Sequence, residues 1–314
     1  MTFIVVNVIV NIYIIVGCRG SDGAMKRLIV GEVEITALTD IEGPFFRLSQ
    51  LFPGVGADLW EPYVGCYPWA FADAGTLYGR VGAYVLRSPG SVVLVDTGIG
   101  PGAMGMRGRL IEDLERNGAY RDEVDTVFLT HLHGDHVGWS LEPNGGPTFS
   151  RARYVTQEAE WEAAEPYVRE AMSSLEDLGV LRLIDGEEAL TEELTAIPTP
   201  GHSPGHASLL VSSGVEQALV LGDVISHPAQ ATETTWNIAF DVDKERAAFT
   251  RAQLLDWLEA DGIPVAAGHI SGTGFGRVVR EDGRRYWKPF EGTAKQSTLR
   301  YSLKEEDRES HDNE

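Results

Sequence analysis

Thr130-His131-Leu132-His133-Gly134-Asp135-His136 packs three imidazoles and a carboxylate into six residues. It follows Asp125-Thr126-Val127-Phe128-Leu129, which reads as a buried strand. A strand that ends in a tight turn can throw several side chains to one point in space. On a continued strand His131 and His133 share a face and Leu132 points the other way. Gly134 then lets the backbone curl, so that Asp135 and His136 converge on a second point beside the first. Neutral imidazole nitrogen and carboxylate oxygen suit a divalent transition metal, zinc above all. Four such donors are too many for one tetrahedral ion that keeps a position open, so two metals are expected.

Three further positions extend the set. His202 lies in a Pro/Gly turn, Ile197-Pro198-Thr199-Pro200-Gly201-His202-Ser203-Pro204-Gly205-His206, between two apolar runs. Asp223 closes the hydrophobic run Ala218-Leu219-Val220-Leu221-Gly222, and His269 follows Ile263-Pro264-Val265-Ala266-Ala267-Gly268. A polar group at the tip of a buried strand must be paired or coordinated, because burying it alone costs several kcal/mol. Taken singly, a His or Asp at a strand end is more often a satisfied core or turn residue.

The order HxHxDH, then His, then Asp, then His resembles the metallo-β-lactamase fold superfamily of hydrolases, over residues 27–290. Val95-Asp96-Thr97-Gly98 resembles that family's early strand-and-turn block, in which the Asp supports the ligands. The resemblance implies an α/β fold, an αββα four-layer sandwich of two mixed sheets flanked by helices. It implies His131, His133 and His202 on one metal, Asp135, His136 and His269 on the other, and Asp223 bridging both. His206 is placed beside the metals rather than on them. Two zinc ions per chain are expected, with iron or manganese as alternatives, to generate hydroxide at neutral pH. Asp135 and Asp223 are the expected catalytic residues, Asp135 as the group that receives the proton of the nucleophile and passes it to the leaving group.

The absence of Cys at position 223 departs from the β-lactamases that use a Cys ligand there, and a bridging Asp departs from the others. β-Lactam hydrolysis is therefore not the expected main activity. The block from Asp223 to Asp241, with His227-Pro228, Trp236 and Phe240, resembles the lactonase and organophosphate-hydrolase-like branch. Hydrolysis of a small ester, lactone, thioester or phosphotriester is the expected reaction. Two alternatives stay open: a non-catalytic metal-binding or sensor protein, and a diiron-type redox enzyme. The diiron branch usually places Glu where this chain has His133. Trp139, His227, Trp236 and Phe240 are expected on the substrate wall, with core packing as the alternative for each.

Of the 314 residues 43% are apolar, as in a globular protein, and acidic residues exceed basic ones by 47 − 26 = 21. Such a surface repels phosphate backbones, so no nucleic-acid partner is expected. The two cysteines, Cys18 and Cys66, lie outside every ligand block. Residues 1–24 read as a hydrophobic leader or as an extension upstream of a start at Met25. The run Phe3–Val16 is too short for a comfortable membrane span. A cytoplasmic protein is expected, with an exported lipoprotein anchored through Cys18 as the alternative, since Ile15-Val16-Gly17-Cys18 resembles a lipoprotein cleavage box. Residues 25–300 form the expected hydrolase domain and 301–314 a polar, disordered tail. A homodimer is left open.

Within that domain Leu28–Leu38, Val81–Leu86, Ser91–Val95, Arg153–Thr156 and Leu181–Ile184 read as strands. Ser208–Val211 and Ala218–Leu221 read as a hairpin around Ser213-Gly214. Helical spacing covers Arg109–Arg116, Glu158–Ala164, Val168–Leu178 and Lys244–Ala260, the last with Ala248, Leu254, Leu255 and Leu258 facing inward.

Overall fold

Along Ala218-Leu219-Val220-Leu221 successive side chains face opposite ways, and both faces are covered. Ala218 and Val220 join a cluster with Ile35, Leu86, Val95 and Phe128, while Leu219 and Leu221 pack with Leu254, Leu255 and Leu258. A strand apolar on both faces needs a layer on each side. In this computed structural model, which describes residues 26–102 and 105–290, those layers are a second sheet and a helix. The expected leader (1–24) and tail (301–314) lie outside the described residues, as do position 25 and positions 291–300 of the expected domain.

The first sheet comprises β1 (Arg27–Val30), β2 (Val33–Arg47), β3 (Phe71–Asp73), β4 (Thr76–Ser88), β5 (Ser91–Val95), β6 (Thr126–Phe128), β7 (Arg153–Gln157) and β8 (Leu181–Ile184). Its order is β1-β2-β4-β5-β6-β7-β8, with β3 paired to β4. The second comprises β9 (Glu188–Ala189), β10 (Leu194–Pro198), β11 (Ala207–Ser213), β12 (Glu216–Val220), β13 (Val265–Ala266), β14 (Phe275–Glu281) and β15 (Arg284–Pro289), ordered β15-β14-β13-β12-β11-β10-β9. Both are mixed: β5, β6, β7 and β8 run parallel, as do β12 and β13, and the other pairs are antiparallel.

Short α1 (Leu48–Leu51) and α2 (Glu61–Cys66) join α7 (Lys244–Asp261) over the second sheet, where Leu48, Tyr63 and Leu258 share a cluster with Val265 and Val278. On the far side, α3 (Leu110–Arg116) and α6 (Pro166–Asp177) cover the first sheet through Leu110, Leu114, Val168, Met172 and Leu175 against Val85, Leu94 and Val127. The result is the αββα sandwich, with one core between the sheets and one under each helical layer. Fully buried Phe128, Phe149, Tyr154 and Trp287 anchor it. Each large apolar side chain removed from water contributes roughly 1.5–3 kcal/mol.

Two expectations change in detail. Leu28–Leu38 is not one strand: Gly31 adopts φ 54, and a tight turn there splits the run into β1 and β2. On α7 the inward stripe is Ala247, Arg251, Leu254, Leu255 and Leu258, so Ala248 falls beside the stripe and a buried arginine falls on it.

This topology gathers loops at one end of the sandwich. β5 and β6 are parallel, so the segments after Val95 and Phe128 leave together. β10, β12 and β13 run the same way in the second sheet, because β11 is antiparallel to both β10 and β12 and β13 is parallel to β12. Ala207 N–H donates to Thr130 O at 2.9 Å and stitches the two ends together.

Candidate metal centre

The chain leaves β6 at Phe128, and Leu129 N–H still reaches Val155 O at 2.9 Å. Thr130 then turns into the site, its N–H held by Asp96 Oδ1 at 2.8 Å. His133 is the N-cap of a single helical turn, α4 (Gly134–Val137), which carries Asp135 and His136. The curl is thus a helix start rather than a continued strand with a glycine kink. Gly134 is absent from the positive-φ glycines, and a Cβ there would meet only Tyr167 Oη at 3.9 Å. Position 222 is where glycine is required: its φ is 60, and a Cβ would fall 2.5 Å from His206 Nε2. This turn swings Asp223 away from β12 and into the site.

Donor atoms from His131, His133 and His202 lie within 4.8 Å of one another, and so do those from Asp135, His136 and His269. In the first group His133 Nδ1 is 3.1 Å from His131 Nε2 and 3.0 Å from His202 Nε2. In the second, Asp135 Oδ2 is 3.6 Å from His269 Nε2 and 3.8 Å from His136 Nε2. Asp223 reaches both groups. Its Oδ2 is 3.0 Å from His269 Nε2, 3.4 Å from His202 Nε2 and 3.9 Å from His131 Nε2, and its Oδ1 is 3.4 Å from His136 Nε2. All seven residues named as ligands from the sequence converge here.

The rings are oriented from behind. His136 Nδ1–H donates to Asp96 Oδ2 at 2.9 Å, His202 Nδ1–H to Asp241 Oδ1 at 2.9 Å, and His269 Nδ1–H to Arg80 O at 2.9 Å. His131 Nδ1–H faces Thr130 Oγ1 at 3.0 Å, whose own hydroxyl donates to Asp96 Oδ2 at 2.9 Å. With Nδ1 so occupied, Nε2 is the nitrogen that each of the four rings turns inward, the one a metal would take. His206 is different. Its Nδ1–H donates to Thr199 O at 3.1 Å and its Nε2 accepts Asp223 N–H at 2.9 Å, so it positions Asp223 and has no nitrogen left for a metal.

Burial and charge oppose each other across the cluster. Burial lowers His131 well below the usual histidine range, reinforced by His136, and takes His133 down to about 4. Burial also opposes charge on His136 and His269, but the carboxylates win. Asp223, Asp96 and Asp135 hold His136 well above its usual value, and Asp223 and Asp135 hold His269 up to about 9. Burial likewise disfavours the Asp223 anion, yet His269, His136 and His131 keep its carboxyl well below the usual carboxylate range. His136 Nε2 and Asp223 Oδ1 are buried without a hydrogen-bond partner in the protein. A buried donor set of nitrogen and oxygen only, with orphaned atoms facing each other, fits divalent cations.

The four residues expected on the substrate wall are dispersed. Trp139 is half-buried and its indole N–H donates to Asp40 Oδ1 at 3.0 Å. His227 is fully buried, edge-on to Trp60 and near Phe52 and Phe71, and Trp236 packs on Trp60 with ring centroids 4.7 Å apart. Apolar packing has claimed these two. Phe240 is 48% exposed and pairs with Phe46, centroids 5.7 Å apart. Their segment borders the site, since Val242 N–H donates to His202 O at 3.0 Å.

Sequence reasoning missed the supports behind the rings. Asp241 lies in the aromatic block but reads as a loop acid; in the fold it is fully buried, and Arg251 Nη2–H donates to its Oδ2 at 3.3 Å. Arg80 reads as a strand-edge cation, yet it is fully buried, donating to Gly268 O at 3.1 Å and Gly272 O at 3.0 Å on either side of His269.

Comparison with known proteins agrees with this geometry. The profile of the metallo-beta-lactamase superfamily matches residues 79–266. An N-acyl homoserine lactonase of Bacillus cereus is 30% identical over 155 residues, 42% of this chain and 58% of that protein. The chain thus spans little more than half the length of the curated relative. Two solved structures share the fold: AidC, a dizinc quorum-quenching lactonase, at TM-score 0.76 and 20% identity, covering 84% of this chain and 96% of that one. The hydrolase AbOPH, of the beta lactamase superfamily, gives TM-score 0.76 and 24% identity over 86% and 98% of the two chains. With the profile spanning more than half of the sequence, and with both sheets present, this chain belongs to the metallo-beta-lactamase superfamily.

Proposed function

We propose that this chain is a dinuclear metal-dependent hydrolase that opens lactones or cleaves related esters bearing an apolar group. The observation that carries the proposal is the double cluster itself: His131, His133 and His202 on one side, Asp135, His136 and His269 on the other, and Asp223 within reach of both. These residues would hold two zinc ions, with iron or manganese as alternatives. Such a pair, when bound, supplies a Lewis acid and a water acidified toward neutral pH.

The chain's own groups do the rest. Asp223 holds the two halves in register. Asp135 is the more open of the two carboxylates, its side chain 32% exposed against 6% for Asp223. Its Oδ2 can take up a proton at the solvent side of the cluster and return it to a departing alkoxide. Phe46 and Phe240 offer apolar area beside the His202 loop, and the net charge of −21 disfavours polyanionic substrates. The lactone preference is supported by the 30%-identical Bacillus cereus lactonase. Among the described residues no helix is long and apolar enough to cross a membrane.

A side-by-side kcat/KM series on one zinc-loaded preparation tests the proposal. Lactones and aryl esters with hydrophobic substituents should be turned over faster than RNA, nucleotides or penicillins. Efficient cleavage of RNA or penicillin, with lactones and aryl esters inert, would overturn it.

A further inference from the structure

Glu160 sits on α5 (Glu158–Ala163) and is only 3% exposed. Among the described residues no Lys, Arg or His forms an ion pair with it. A buried carboxylate without a cation is costly unless hydrogen bonds satisfy it. Three do. Its Oε1 accepts Leu132 N–H at 3.0 Å, and its Oε2 accepts Ser203 O–H at 2.6 Å and Gly205 N–H at 2.9 Å.

The partners decide what this carboxylate is for. Leu132 stands between His131 and His133, and Ser203 follows His202. One carboxylate therefore ties together the two loops that bring all three imidazoles of one pocket, from two different sheets. The second loop also presses against α5, since a Cβ on Gly205 would fall 2.2 Å from Glu160 N. None of its three hydrogen bonds reaches Asp135, His136 or His269. The tie is one-sided with respect to the two pockets.

We propose that Glu160 is a positioning residue that preforms the His131, His133 and His202 pocket and leaves the Asp135, His136 and His269 pocket to other supports. The inference rests on the dinuclear assignment above. Loss of an outer-shell partner commonly weakens metal binding about 10–100-fold, and here the loss should fall on one metal of the two.

The test compares wild type with Glu160→Ala, Glu160→Gln and Ser203→Ala in zinc titrations against a competing chelator. Ring-nitrogen NMR of the histidines identifies which pocket responds. Glu160→Ala should weaken one zinc about 10–100-fold, with the zinc-induced shifts lost at His131, His133 and His202 and kept at His136 and His269. Glu160→Gln still accepts from Leu132 but presents an amide group toward Ser203 and Gly205, so its loss should be smaller and confined to the same rings. Ser203→Ala removes one bond of the three and carries the same test if Glu160→Ala does not fold. If wild type holds two zinc ions and the folded variants bind both unchanged, or lose both equally, the positioning role is overturned. If wild type itself holds none, the dinuclear assignment fails first.

Discussion

His269 Nε2 lies 3.0 Å from Asp223 Oδ2, although the two residues are 46 positions apart and follow different strands. Parallel pairing of β12 with β13, Leu219 opposite Val265 and Val220 opposite Ala266, sends both chains out of the second sheet at the same level. The first sheet does the same for Asp96 and His131 through β5 and β6. Catalytic potential here is a consequence of strand direction: parallel neighbours deliver their C-terminal loops to one place, where polar groups that no strand could bury alone find each other.

Asp223→Ala removes the one carboxylate that, among the described residues, lies within reach of both groups. One of two bound metals should be lost first, and hydrolysis should fall at least about 100-fold, the upper scale for lost support of a metal ligand. Metal analysis and turnover on the same sample check this, and undiminished activity would refute the bridging role.

Asp241→Ala should reach the polar cluster through His202. It removes the acceptor of His202 Nδ1–H and leaves the buried Arg251 guanidinium without its carboxylate. Zinc affinity should drop about 10–100-fold and stability should fall as well, so chelator titration and thermal unfolding are both needed. Asp241→Asn keeps an acceptor for the ring and should lose less zinc affinity than the alanine variant.

Zinc binding should release protons. In the metal-free cluster His136 and His269 keep their protons against the surrounding carboxylates, His269 up to about 9. A metal takes the place of those protons, so affinity should rise with pH toward about 9 and fall on acidification. Calorimetry at pH 7 in buffers of different ionisation enthalpy should register net proton release; a signal independent of buffer would contradict the assignment.

His227 gives a separate pH signature. Burial takes it down to about 3, so the folded protein keeps it neutral where an unfolded chain, near the usual 6.5, would protonate it. Its contribution is present above pH 6.5 and is lost as pH falls toward 3. Replacing His227 with Phe should flatten the acid limb of the stability curve by about 1.4 kcal/mol per pH unit, one proton's share. Denaturant unfolding between pH 4 and pH 6 measures the slope, and an unchanged slope would contradict the buried neutral state.

The residues that converge at the site are legible in the sequence because their chemistry is out of place: imidazoles and carboxylates terminate apolar runs that have no internal use for them. Apolar runs likewise mark many of the strands, whereas their division into two sheets is what the family resemblance implies. The supports are not legible. Glu160 lies in Glu158-Ala159-Glu160-Trp161-Glu162, where three acids in five residues read as solvated positions, and only tertiary packing shows that the middle one turns inward. Arg251 and Arg80 are hidden for the same reason, since buried cations are rare and their carbonyl partners leave no trace in side-chain pattern. The aromatic residues mislead in the opposite direction. Trp236 and His227 look like a pocket wall because they follow Asp223, but apolar area in a loop is as useful for packing, and Trp60 and Phe71 claim it.

Phe240→Ala should raise KM for substrates with long apolar groups and leave kcat nearly unchanged, since uniform binding is lost while the polar cluster is untouched. Trp139→Ala should also cost stability, because Asp40 loses its indole donor. Steady-state kinetics over an acyl-length series distinguishes the two.

The most direct measurement is the metal content of purified protein after loading with zinc and removal of excess. Two zinc ions per chain, with hydrolysis abolished by a chelator and restored by zinc, is the predicted result. A fully loaded preparation holding one ion or none, or hydrolysis that survives chelation, would contradict the dinuclear centre.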